Sequence, residues 1–194
     1  VGTAVTVYVT SDTHFNHRSI IDYCNRPFND VREMNEKMIE RWNGTVGRRD
    51  EVWHLGDFAY APGPDGMPLD KLFAALNGSK HLVIGNHDER NPRVLRLPWA
   101  SIQHYRKFRM DGRRFILCHY PFETWDGSFK GVTHLHGHCH GTLTRSVPGR
   151  FDVGVDALPD ANYAPQPIDS FPPVSLEVLQ ERWRNEPRDH HDMR

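Results

Sequence analysis

The sequence predicts an α/β fold. Short β-branched apolar runs alternate with stretches of helical period. Acidic, amide and imidazole residues gather just after the apolar runs rather than within them. The length, 194 residues, suits one ordinary domain, because single cores grow to about 250 residues before chains divide.

Residues 4–10 (AVTVYVT) read as a buried strand, β-branched and bounded by polar residues. Asp30 caps a helix, with Glu33 three positions on, and Met34, Met38 and Trp42 fall on one of its faces. Residues 51–56 (EVWHLG) read as the second strand. After the turn-rich loop 61–68, residues 69–76 (LDKLFAAL) predict a helix, with Gly78 as its stop signal. Strands follow at 80–84, 101–109, 114–118, 132–136 and 151–155. A second turn-rich loop covers 157–173. Ser175 is placed to cap a last helix with Leu176, Leu179 and Trp183 as its inward stripe. Residues 1–184 are expected to form one domain, and the polar tail 185–194 is expected to be flexible.

Hydrophobic residues make 38% and charged residues 25% of the chain, which excludes collagen-like and fully disordered readings. No apolar run reaches the roughly 18–20 residues a membrane-spanning helix needs. The first residues, VGTAVTVYVTSDTHF, lack the basic and long apolar parts of a signal peptide, so a cytoplasmic location is expected. The net charge of -1 argues against stable binding to duplex DNA, which favours a basic surplus. Three cysteines are too few, and odd in number, for a disulfide framework. Thirteen histidines are the unusual count, and their positions decide the functional reading.

Five strands each lead into such residues: Asp12-Thr13-His14, Gly56-Asp57, Gly85-Asn86-His87-Asp88, His119, and Gly137-His138-Cys139-His140. In open α/β sheets, sites form at the carboxyl ends of strands. Each piece alone also reads as a turn or a surface histidine. On an extended backbone, Asp12 and His14 point the same way, as do His138 and His140. Together these groups would cost several kcal/mol per buried charge if left uncompensated, and divalent cations remove that cost. The mixture of carboxylate, amide and imidazole suits Mn, Fe, Co, Ni or Zn better than Ca or Mg.

The ordered series Asp12-x-His14, Gly56-Asp57, Gly85-Asn86-His87-Asp88, His119 and Gly137-His138-x-His140 resembles the calcineurin-like metallophosphoesterase superfamily. The text SDTHFNH, HLGDF, GNHDER, CHYPFETW and HLHGHCHG is similar to its compact bacterial and phage subgroup, whose members lack large capping domains. The resemblance spans roughly residues 4–158. It implies a four-layer α/β/β/α sandwich of two mixed β-sheets flanked by helices. It implies two divalent metals, with Asp12, His14, Asp57 and His140 holding the first. Asp57, as a bridge, would hold the second with Asn86, His119 and His138. His87 would face substrate, beside Asn86, and Asp88 would orient His87.

Two such cations, manganese being favoured, would hold a bridging hydroxide for in-line attack on phosphorus, and His87 would protonate the leaving oxygen. Two divalent ions, two carboxylates and one hydroxide leave about +1, which suits a phosphate ester without choosing between diester and monoester. Small phosphodiesters, including 2′,3′-cyclic nucleotides, are the favoured substrates. A phosphomonoesterase or protein phosphatase, a nuclease on RNA or single-stranded DNA, and a non-catalytic metal-binding scaffold are the alternatives. The sequence sets no oligomeric state.

Other residues carry weaker signals. Asn16 and His17 are expected to reach substrate from a turn after His14. His54 reads as a packed or hydrogen-bonded histidine, and His134 and His136 are left out of the metal set. Cys118 and Cys139 read as small buried hydrophobes. Tyr120, Phe122 and Trp125 form either a pocket wall or loop packing. Arg106, Lys107, Arg109, Arg113 and Arg114 crowd one hairpin, as a solvated strand face or a nucleic-acid track.

Overall fold

A computed structural model describes residues 5–157 and 172–179. The first half of the chain gives β1 (Val7–Thr10), α1 (Arg18–Tyr23), α2 (Val31–Thr45), β2 (Glu51–His54), α3 (Leu69–Ala75) and β3 (Ser79–Val83). Two single-turn helices follow, α4 (Asn86–Glu89) and α5 (Pro92–Leu95), before β4 (Ser101–Gln103). The rest comprises β5 (Tyr105–Met110), β6 (Arg113–Cys118), β7 (Thr133–His136), β8 (Arg150–Asp152) and β9 (Val174–Ser175).

These strands form two mixed sheets. The first has the order β4-β3-β2-β1-β9, parallel except for β9. The second has the order β5-β6-β7-β8, with β5 antiparallel to β6 and the others parallel. Alternation along each strand assigns the faces. Val52 and Leu82 turn outward, to pack with Met34, Met38 and Trp42 of α2 and Leu72 of α3. Their neighbours Trp53 and Val83 turn inward, against Phe115, Leu117 and Leu135 of the second sheet. The outer face of the second sheet packs Ile116 against Trp125 and Val132, from the segment that holds a 3-10 turn at Ser128–Lys130.

Most of the expected elements form. Asp30 accepts a 2.8 Å hydrogen bond from the Glu33 amide, while the Glu33 carboxylate reaches back to Asn29 rather than to Asp30. The expected strand 101–109 is corrected to two strands. His104 separates them, and β4 pairs with β3 while β5 pairs with β6 in the other sheet. No Gly, Pro, Asn or Asp interrupts residues 101–109, so no turn signal reveals the corner. The helices α1, α4 and α5 were not anticipated, because four to six residues are too short for a legible period. Ser175 Oγ accepts from the Val178 amide as a cap, and residues 176–179 are helical, but Ser175 also pairs with Tyr8 in β9. Residues 1–4, most of the loop 157–173, Trp183 and the tail 185–194 lie outside the described residues. Among the described residues, no helix is long and apolar enough to cross a membrane.

His134, on β7, is fully buried and bonded to backbone: its ring contacts the carbonyls of Ile116 and Tyr120 and the amide of Phe122. Burial lowers its pKa from 6.5 to about 4. Above pH 6.5 the ring is neutral in both folded and unfolded chains. As pH falls from 6.5 towards 4, the unfolded chain takes up the proton first, so the fold loses about 3 kcal/mol at this residue. His134→Gln should flatten the fall in stability over that interval by this amount, as read from urea unfolding at a series of pH values.

Candidate metal centre

The site lies where the carboxyl ends of β1, β2, β3, β6 and β7 meet, so both sheets contribute to it. The loops after β1 and β2 stay hydrogen-bonded beyond the strands. The amides of Asp12 and His14 donate to the carbonyls of Gly56 and Asp57, and Thr13 Oγ1 donates to the Phe58 carbonyl. This pairing fixes Asp12, His14 and Asp57 in one frame.

The convergence does not arise from an extended backbone, as the i, i+2 spacing suggests. Asp12, His14, Asp57, His138 and His140 all have left-handed φ values, between 47° and 70°. Such conformations cost about 1–3 kcal/mol each and persist only where the surroundings impose them. Asp and His tolerate them better than β-branched residues do. Glycine supplies the room beside them. A Cβ at Gly137 would collide with Ser11 Oγ and the Asp12 carboxylate, and one at Gly85 would collide with Asp57.

Two groups of ligand atoms result. Asp12, His14 and His140 converge in one, and Asp57, His119 and His138 in the other, each with atoms within 4.8 Å of one another. Asp57 Oδ2 lies between them, 3.6 Å from His14 Nε2 and 3.6 Å from His119 Nε2. Asn86 Oδ1 is 3.1 Å from His119 Nε2. All seven expected ligands are therefore brought together.

Their free atoms fit cations. Asp12 Oδ2 accepts from the His138 amide, but Asp12 Oδ1 is buried with no partner. Both ring nitrogens of His14 are buried and unpartnered. His119 Nδ1 is bonded to the Leu55 carbonyl, which turns the Nε2 lone pair towards two oxygens, of Asp57 and Asn86. Lone pairs facing one another in a buried site require positive charge between them. Burial pushes the Asp12 carboxyl well above its usual range, and burial, with Arg26 nearby, holds His14 well below its own. Without a cation a proton meets part of this demand at Asp12, while His14 stays neutral with its lone pairs free, so the donor set suits metal ions.

The profile of calcineurin-like phosphoesterases matches residues 5–167. The chain belongs to this family.

Relatives of the phosphoesterase extend over most of it. An uncharacterised protein of Methanocaldococcus jannaschii is 33% identical over 169 residues, covering 84% of this chain and 87% of its own. The gene 66 protein of Mycobacterium phage D29 is 31% identical, covering 79% of this chain and 89% of its own. A crystal structure of an Aquifex aeolicus protein of unknown function superposes with a TM-score of 0.66 at 22% identity, over 92% of this chain and 100% of that one, and shares the fold.

The supporting residues of the phosphoesterase differ from expectation. Asp88 does not bond to the His87 ring. Its buried carboxylate accepts from the amides of Asp57, Phe58 and Gly85, at 2.7, 3.0 and 2.9 Å, and so shapes the loops that carry Asp57 and Asn86. Tyr60 takes the place expected for Asp88: its hydroxyl is bonded to His87 Nδ1. Asn16 does not reach the opening either. Its amide is spent on Met67, Tyr60 and Asn35, which pins the loop after Tyr60. His17 does face the site, stacked on Tyr60 at 3.8 Å between ring centroids, and burial lowers its pKa to about 4. His54 is buried, receiving the Gly56 amide at Nδ1 and bonded to Thr13 Oγ1 through Nε2. His136 is buried and bonded to the Gly137 carbonyl.

Sequence reasoning missed a buried chain beneath the first group. The Arg26 guanidinium pairs through two bonds of 2.8 Å with Asp156 and donates to the carbonyls of Asp12 and Thr13. Asp156 Oδ2 in turn lies 2.6 Å from His140 Nδ1. This pair holds the His140 ring so that Nε2 faces Asp12 Oδ1 at 3.8 Å. Although burial opposes it, the charge of Arg26 and the bonds from His140 and Arg26 hold the Asp156 pKa down to about 2. Asp156 is an acid just past the expected strand 151–155, as Asp12, Asp57 and Asp88 are past theirs, and that position was its signal. Arg26 left none, since nothing in its local sequence says which loop it enters.

Two outcomes test the centre. Asp12→Asn removes a carboxylate of the first group and should abolish the gain in stability, read from the melting temperature, that wild type shows with manganese over chelator. At a hundredfold excess over the dissociation constant that gain is about 2.7 kcal/mol. Asp156→Asn strands the Arg26 charge and should cost about 3–5 kcal/mol in urea unfolding. In a metal titration it should weaken binding by about 10–100-fold.

Proposed function

We propose that the protein hydrolyses small phosphodiesters, 2′,3′-cyclic nucleotides among them, with two divalent transition metals of which manganese is favoured. The observation that carries this reading is the placement of Asp57 Oδ2 between the two ligand groups, within 3.6 Å of a histidine of each. Cations held there would supply charge for phosphoryl oxygens and a water acidified to near neutral pH.

The chain's own residues do the rest. The Tyr60 hydroxyl is bonded to His87 Nδ1, and with Tyr60 as the donor the ring proton would sit on Nε2. That atom lies 3.9 Å from Asp57 Oδ2, and the His87 side chain is 35% exposed, so it meets a substrate entering over the centre. His87 Nε2–H would bond a phosphoryl oxygen or protonate the leaving oxygen. The diester preference rests on what grips phosphate. Arg26 lies beneath the site, buried and committed to Asp156 and two carbonyls. Among the described residues this leaves exposed Arg90, just after the Asn86–Asp88 block, as the one obvious arginine where a monoester dianion would favour several.

With manganese, a bis-aryl phosphodiester should be cleaved with higher kcat/KM than the matching monoester, and the reverse ranking would overturn the reading. His87→Ala should lower turnover at least about a hundredfold while elemental analysis finds the metal content unchanged. Equal loss of both would instead make His87 a ligand.

A further inference from the structure

The site leaves one feature of the molecule unused. Residues 104–131 carry six Lys and Arg residues against three carboxylates, whereas the whole chain is at -1. The surplus is therefore local, and β5, the edge strand of the second sheet, carries most of it.

The register places these charges. Arg109 and Arg114 are direct cross-strand partners, both exposed. Like charges in that relation destabilise a sheet pair. Among the described residues neither arginine takes part in an ion pair within 4 Å, so only the more distant Asp126 offsets the repulsion, at Arg114. Lys107 lies on the same face and meets Asp126. That lone carboxylate also feels Arg114 and Lys130, so it serves three cations. Beside Lys130, Phe129 is 89% exposed. Ordinary solvation does not call for a large aromatic side chain held out beside a cluster of cations.

The strip leads to the metal centre. Tyr105, on the same face as Lys107 and Arg109, pairs with Cys118, and His119 follows directly. Its ring lies 6.4 Å from Phe122. Tyr120, 40% exposed, lies 5.0 Å from the rings of both His119 and His138. From Tyr105 to Arg109 the strand advances about 13 Å. Exposed rings thus lie nearest the ligands, at Tyr120 and Tyr105, and cations follow outward along the strand, at Lys107 and Arg109.

We infer that this edge, with Tyr105, Lys107, Arg109, Arg114, Phe129 and Lys130, binds single-stranded nucleic acid whose end reaches the metal centre. The inference rests on the phosphodiesterase reading and extends its substrates from small diesters to the ends of single strands. Cations on the edge match successive phosphates, and exposed rings stack on unpaired bases. A duplex hides its bases from such rings, and an acidic peptide has none to offer.

The test is fluorescence anisotropy of a labelled oligothymidylate of about twelve nucleotides with the full chain, in manganese and again in chelator. The strip needs no metal, so binding should survive chelation. The double variant R109S/R114S should weaken it at least about tenfold and lower the salt slope by about 1.4, from two lost phosphate contacts. F129A should weaken it without changing the slope. Turnover of a bis-aryl diester and the thermal melt should stay at wild-type values in both variants, or the melt should rise slightly in R109S/R114S. Unchanged affinity in the variants, a duplex bound as tightly, or polyglutamate competing equally well would each overturn the inference. Loss of small-diester turnover in wild type, with oligonucleotide binding intact, would instead sink only the phosphodiesterase reading.

Discussion

Two carboxylates, Asp12 and Asp57, are buried at neighbouring strand ends, and the polypeptide supplies little countercharge for them. Of the imidazoles around them His140 is held charged: although burial opposes it, Asp156, Cys24 and Asp12 raise its pKa to about 11, but that charge is shared with Asp156. His14 is held neutral by its burial and by Arg26, and burial also lowers the pKa of His119. The one permanent cation buried nearby, Arg26, is matched by Asp156 and by backbone carbonyls. The remaining features follow: left-handed loops, glycines that clear space, and lone pairs turned inward. Each makes sense as scaffolding for charge that arrives later.

That scaffolding is divided between two sheets. Asp12, His14, Asp57 and Asn86 come from the first, and His119, His138 and His140 from the second. The inward residues Trp53, Val83, Phe115 and Leu117 therefore do more than stabilise the fold. By filling the space between the sheets they set the distance between the halves of the centre. A close-packed interior transmits small volume changes as displacement, so these apolar residues share control of ligand geometry.

The sequence was most informative where chemistry recurs at strand ends. Aspartates and histidines after apolar runs were legible because residue type and position agree. Much of the fold was legible for the same reason, since a short apolar run at 51–56 and a helical stripe at Met34, Met38 and Trp42 are local patterns. What escaped was non-local. Arg26 and Asp156 are 130 positions apart and meet only in three dimensions. Asn16 and Asp88 read as site residues, yet their amide and carboxylate serve neighbouring loops. A polar side chain near a site can face the ligand or the backbone, and spacing alone does not distinguish these. The split of 101–109 escaped because a corner need not carry a turn residue.

That corner has a geometric result. Gln103 ends in one sheet and Tyr105 begins in the other, with His104 alone between them. Two residues of chain reach at most about 7 Å, whereas stacked sheets sit roughly 10 Å apart. The sandwich must therefore pinch along this side, with His104 as a covalent clasp. The other side is clasped by hydrogen bonds, since Ser11 just past β1 bridges to Gly154 just past β8 and accepts from the Val155 amide, so the residues packed between are held from both edges.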